Sequence, residues 1–260
     1  MKSILPISNG IAFVSMIYIN YLSNTGLINN NTNATVSQSF ENLFTPAGYA
    51  FSIWGIIYLL LLGFVIYQGI GLFSKAKHND FASQVGWWFV ISCVANGAWL
   101  FAWLHESLGL AVLIMLILLF SLIKIVLRTN MERWDAPFKT ILFLWWPFCI
   151  YIGWISVALI ANMAAYLTQI GWEAFGLSDV FWTITMIIVA GILNLFVTWN
   201  RNMREFALVG AWALVAIAVA NWEVQQSISH TAIGVAIVLI LSSSVHAIRN
   251  WKTLPFIKKM

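Results

Sequence analysis

Charge is what this sequence has least of. Only 8% of its 260 residues are Asp, Glu, Lys or Arg, against about a quarter in a soluble domain. With 61% hydrophobic residues and a mean hydropathy of +0.86, it is expected to be an all-α integral membrane protein. No acidic or basic tail is long enough to bind nucleic acid, and the net charge of +4 comes from short clusters between apolar runs. Cysteine is nearly absent. Cys93 and Cys149 are the only two, each inside an apolar run, which predicts small packing residues and no disulfide. None of the nine carboxylates falls in the middle of a run, which argues against a proton- or sodium-coupled pump.

The apolar runs cover residues 6–24, 47–73, 83–104, 107–128, 138–168, 180–199, 206–222 and 229–248, each near the ~20 residues of a spanning helix. Eight membrane helices are predicted. The fifth is long enough to require tilt or a bend near Pro147. The first, interrupted by Tyr18, Asn20, Tyr21 and Asn24, is expected to be a retained span rather than a cleaved signal. All thirteen Lys and Arg fall at alternate connections or at the chain ends: Lys2; Lys75 and Lys77; Lys124, Arg128, Arg133 and Lys139; Arg201 and Arg204; Arg249, Lys252, Lys258 and Lys259. The connections 25–46, 105–106, 169–179 and 223–228 hold none, so both termini are expected to be cytoplasmic by the positive-inside rule. The outer loop 25–46 is Asn-rich, with N-x-T matches at Asn30 and Asn33, and is expected to be flexible.

The polar groups at membrane depth are amides and aromatics. At 1.5 Å per residue, Trp54 lies roughly 12 Å in from Pro46, Asn96 roughly 12 Å in from Leu104, Asn162 roughly 10 Å in from Gln169 and Trp99 roughly 7 Å in. They share one level in the outer leaflet. Trp54 with Tyr58, Trp99 with Trp103 and Asn162 with Tyr166 each sit at i, i+4 on one helix face. Trp103, Trp172 and Trp222, at helix ends, read as an interfacial belt. Trp54, Trp99 and Trp154 lie deeper and fit either helix packing or a pocket wall.

The segment Trp154-Ile-Ser-Val-Ala-Leu-Ile-Ala-Asn162 resembles the fifth-helix pattern W-x-S/A-x-A/T-x-x-x-N of the TspO/MBR family, the tryptophan-rich sensory proteins that include the mitochondrial translocator protein. Asn96-Gly-Ala-Trp99 is similar to that family's N-x-x-W, and Pro46-Ala-Gly-Tyr-Ala-Phe51 with Trp54 and Tyr58 to its P-P-G-W-x-F-x-x-x-W-x-x-x-Y. Ala47 replaces the second proline, one residue is missing between Phe51 and Trp54, and Pro147 stands about a turn early, while Tyr151 matches the family Tyr three before the Trp. The resemblance covers residues 1–174; 175–260 would be three additional helices of a longer, eight-helix branch. It implies a five-helix bundle with an aromatic pocket for a flat hydrophobic molecule such as a porphyrin, haem or sterol. Tyr49, Phe51, Trp54, Tyr58, Asn96, Trp99, Tyr151, Trp154, Asn162 and Tyr166 would line it, the amide of Asn96 or Asn162 would orient the ligand, and loop 25–46 would be the lid.

A binding or sensory protein is therefore the leading expectation, with the lipid bilayer, a hydrophobic small molecule and a second copy of the chain as expected partners. A transporter of a hydrophobic or aromatic solute is the alternative; Asn194 would be its best residue, although a helix-packing amide is the simpler reading. No protease, hydrolase or phosphate-loop motif supports an enzyme. His78 and His246 fall toward the cytoplasm and His105 and His230 outside, where the latter two and Glu106 could meet as loop residues or ligate haem. The charge pattern suits a bacterial inner membrane.

Overall fold

The computed structural model describes residues 4–73 and 81–251. Lys2, Lys75, Lys77, His78, Lys252, Lys258 and Lys259 lie outside the described residues. Among the described residues, eight long helices follow the eight apolar runs: α1 (Ile4–Leu22), α2 (Ile53–Phe73), α3 (Trp88–Leu104), α4 (Leu108–Arg128), α5 (Phe138–Gln169), α6 (Asp179–Arg201), α7 (Arg204–Ala220) and α8 (Gln226–Arg249). Among the described residues there is no strand. Helices pair most backbone polar groups at membrane depth within one segment, as hydrocarbon requires.

Helix α5 bends where its sequence demands it. Pro147 has no N–H for the carbonyl of Phe143, and its ring would crowd that carbonyl. The chain responds with a wide π turn over Ile141–Trp145 just before it. The N-terminus of α6 is capped by Ser178, whose hydroxyl accepts from the Phe181 N–H at 3.2 Å, and its C-terminus closes on Asn202 in the left-handed conformation, φ 63°.

Helices α1 to α5 pack around one another, and α6 to α8 form a second group joined to them through α7 against α5. Small residues make that seam. A Cβ on Gly153 would lie 3.2 Å from Val209 and 3.3 Å from the Phe206 backbone, so only glycine lets the two helices approach this closely. Ala211, Ala213, Ala216 and Ala218 are buried along α7. Asn194 donates to the Ala190 carbonyl at 2.8 Å and lies against Gly210, where a Cβ would be 2.5 Å from its oxygen. It is a helix-packing amide of the α6–α7 crossing.

The described Lys and Arg gather at one end, the inner end. Arg128 donates to Gln84 and Ser83 carbonyls, Arg133 to Asn200, and Asn202 to the Glu132 carbonyl. The outer end, without Lys or Arg among the described residues, is tied largely by amides and backbone groups. Gln169 donates to the Glu106 carbonyl at 2.7 Å, and the N–H of Ala47 to the Ala216 carbonyl at 3.0 Å.

Loop 25–46, expected to be flexible, is instead ordered. Asn29 and Asn31 each donate to the Leu104 carbonyl at 3.0 Å, and Asn33 donates to the Ser23 hydroxyl at 3.0 Å. Its centre is a short helix, Asn33–Ser39, with a reciprocal capping box between Thr32 and Thr35. These are the threonines of the two N-x-T matches.

Candidate functional site

A cavity of about 790 Å³ opens toward the outer end between α1, α2, α3, α5 and α7, beneath the short helix. Helix α5 makes the space. Trp154, Val157, Ala158, Ala161, Asn162 and Ala165 recur at the 3.6-residue period, so one face of α5 lines the cavity and its alanines leave room. Aromatic rings form the opposing wall. Trp54 stands at their centre, stacked on Tyr58 at 5.4 Å and on Trp99 at 6.5 Å, and meeting Trp154 and Tyr151 edge to face at 6.3 and 5.9 Å. Each such pair contributes about 0.5–1.5 kcal/mol beyond burial. Phe51 closes on the edge of Trp154 at 6.0 Å, and Trp103 extends the wall beyond Trp99 at 6.1 Å.

Two hydrogen-bonded sets hold these rings. The Trp99 indole N–H donates to Asn162 Oδ1 at 2.9 Å, while Asn162 Nδ2 donates to the Ala158 carbonyl at 3.0 Å. Below the cavity, the Tyr58 hydroxyl donates to Asn20 Oδ1, Asn20 donates to Asn96 Oδ1 at 2.8 Å, and Asn96 donates to the Tyr151 hydroxyl at 3.2 Å. Buried amides left unpaired would cost about 1–3 kcal/mol each, and here they satisfy one another.

Of the ten residues expected at the site, Phe51, Trp54, Tyr58, Trp99, Trp154 and Asn162 line the cavity. The other four do not. Asn96 and Tyr151 are buried behind Trp54 in the floor network. Tyr49 turns outward against Trp212 at 5.2 Å, and Tyr166 lies on Gly109 of α4. Of the two amides expected to orient a ligand, Asn96 is turned away into the floor network, while Asn162 lines the cavity with its oxygen held by Trp99 and one N–H by Ala158.

Trp103, read as a belt residue, is 7% exposed and lines the cavity, because α3 turns its whole i, i+4 face inward. Trp172 packs with Phe175 and Trp182 in the α5–α6 connection. Asn20 and the contributions of α7, Ile217 and Ala220, were not expected at the site; the polar interruption of the first apolar run was the one sequence signal for Asn20. Helix α7 also ties down the segment that leads from the short helix into α2. Asn221 donates to the Leu43 carbonyl at 2.9 Å and Trp212 to the Ala50 carbonyl at 3.2 Å.

The outer histidines stay apart. His105 bonds the Phe101 carbonyl and His230 meets the edge of Trp222. Among the described residues, no group of three or more His, Cys, Asp or Glu could hold a metal ion.

A bundle of apolar helices, six of them among the described residues long enough to cross a membrane, with a ring-lined cavity between α1, α2, α3, α5 and α7, defines an integral membrane protein with an internal space of small-molecule size. The family model for TSPO-like protein matches residues 6–245, and the chain belongs to that family. The match runs through α6 to α8 as well as α1 to α5. No curated protein and no solved structure matches the chain.

Proposed function

We propose that the protein binds or senses a flat hydrophobic molecule, of tetrapyrrole or sterol-like shape, in the outer cavity. The observation that carries this reading is a space of about 790 Å³ faced by Trp54, Tyr58, Trp99, Trp103 and Trp154. Its size is within the ~300–1,000 Å³ of small-molecule sites, and ring faces suit a planar partner. Residues 1–174 would supply most of the site, and 175–260 would complete its wall through Ile217 and Ala220 of α7. The confinement of Lys and Arg to one end of the bundle suits a bacterial inner membrane.

The test is intrinsic Trp-fluorescence quenching of the detergent-solubilised protein by a protoporphyrin. Saturable quenching, weakened about tenfold in Trp54→Ala through lost stacking and abolished in the cavity-filling Ala161→Phe, is the expected result. Linear quenching, unchanged in both variants, would overturn the binding reading.

A further inference from the structure

The outer cavity has no cation. Among its lining residues there is no Lys, Arg or His, and the single charged group is Glu41, exposed on the lid segment beside the mouth. The connections on the same side add Glu106, Glu173, Asp179 and Glu223, again with no Lys or Arg. The potential at the mouth is therefore negative, and it reaches over a Debye length of about 8 Å at physiological salt. Inside, Asn162 is engaged with Trp99 and Ala158 and Asn20 with Asn96 and Tyr58, and the donors left over, the Gln38 amide and the unpartnered Trp154 indole N–H, are neutral. A carboxylate entering here would lose water, gain no cation and face Glu41.

We propose that the cavity selects flat hydrophobic molecules without carboxylates, with a preference for one that carries an amine, and that Glu41 sets this selection at the mouth. The inference rests on the proposed function, since it assigns the charge class of the molecule that the same cavity takes. It separates ligands of one shape: a ring system with ester, hydroxyl or amine substituents enters, and the same ring system with free acids is disfavoured.

The experiment compares quenching by protoporphyrin IX, which has two carboxylates, with quenching by its dimethyl ester, in the wild-type protein, Glu41→Gln and Glu41→Lys. The two pigments differ in solubility, so the readout is how the acid-to-ester ratio of apparent Kd changes between variants. The ester is expected to bind more tightly in the wild type. The ratio is expected to fall ~3-fold in Glu41→Gln and ~10-fold in Glu41→Lys, as for one exposed charge removed and then reversed. Glu41 is exposed, so the fold does not depend on it. A ratio that stays constant across the three proteins, while both pigments still saturate and still lose saturation in Ala161→Phe, would overturn the charge selection and leave the cavity as the binding site. Failure of both pigments to show saturable quenching sensitive to Ala161→Phe would overturn the binding reading, and the selection with it.

Discussion

The two ends of α5 face opposite kinds of space. At the outer end its alanine face opens on a wide cavity of rings, whose amides are satisfied largely within the protein. At the inner end, beside the π turn, a cleft of about 250 Å³ is lined by Glu132, Arg204, Glu205, Trp145 and His246. Charge there is only partly compensated. Trp146 donates to Glu205 Oε1 at 3.1 Å, but Glu205 Oε2 and Arg204 Nε have no hydrogen-bond partner. Burial above all, with nearby Glu205 adding to it and Arg204 partly offsetting both, pushes the Glu132 carboxyl up to about 8. One helix thus serves a surface that offers shape and apolar contact and another that stores charge. The first has the size and ring faces of a small-molecule space, and the second holds a carboxyl whose burial favours its neutral form.

The sharpest way to break this comparison is to fill each space in turn. Ala161→Phe at the outer cavity is expected to weaken saturable pigment quenching by ~100-fold or more, since overpacking leaves no room for a ring. Ala136 also lines the inner cleft, and Ala136→Phe there is expected to leave the quenching curve unchanged. Equal losses in both would mean that the two spaces are not independent. The next effect is on stability. Asn162→Ala strands the Trp99 indole N–H at 7% exposure, which costs about 1–3 kcal/mol; thermal unfolding in detergent should show it, together with weaker pigment binding as the Trp99 ring loses its anchor.

How far the sequence foretells these features depends on the range of the forces involved. Helix count follows from runs of apolar residues, and the inner end from the placement of Lys and Arg, because the bilayer imposes both rules on any chain. Trp154 and Asn162 of α5 were legible through the family pattern rather than through helical spacing alone, since Tyr166, one turn on from Asn162, turns to Gly109 instead. Depth alone did not settle which residues meet the cavity. Asn96 shares a level with Trp54 yet turns to Asn20 of α1, and Tyr151 is screened by the Trp54 ring. Tyr49 leaves the site because Trp212, more than 160 residues later, offers its ring an edge. Those outcomes depend on helix rotation and on contacts between distant segments. The order of the lid was hidden likewise, because Asn-rich composition reads as flexibility until the Leu104 carbonyl is there to receive Asn29 and Asn31.

The inner end supplies the third prediction. Glu132 has a folded pKa of about 8, above the ~4.3 of an unperturbed Glu. The folded state therefore holds a proton that the unfolded state has released at neutral pH. Its contribution to stability is fully present below the unfolded value and is lost as pH rises through about 8. Thermal unfolding should fall between about pH 5 and pH 9, and Glu132→Gln should flatten that slope without changing pigment binding. A slope that persists in Glu132→Gln would assign it to another group, Glu205 first.

The smallest effect belongs to the outer lid. Thr32 caps the short helix Asn33–Ser39, its hydroxyl accepting from the Thr35 N–H at 3.2 Å while the Thr35 hydroxyl accepts from the Thr32 N–H at 2.8 Å. Thr32→Ala removes half of that box and should cost about 1 kcal/mol, felt locally. Global unfolding is expected to move little, because Asn29, Asn31 and Asn33 still fasten the loop to Leu104 and Ser23. Hydrogen exchange should rise in residues 33–39 and not in the α4–α5 connection beside the inner cleft. If pigment association speeds up while its dissociation speeds up equally, the short helix acts as a cover over the cavity; if neither rate changes, the ligand passes elsewhere, and the wall between α5 and α7 at Ile217 and Ala220 becomes the route to examine.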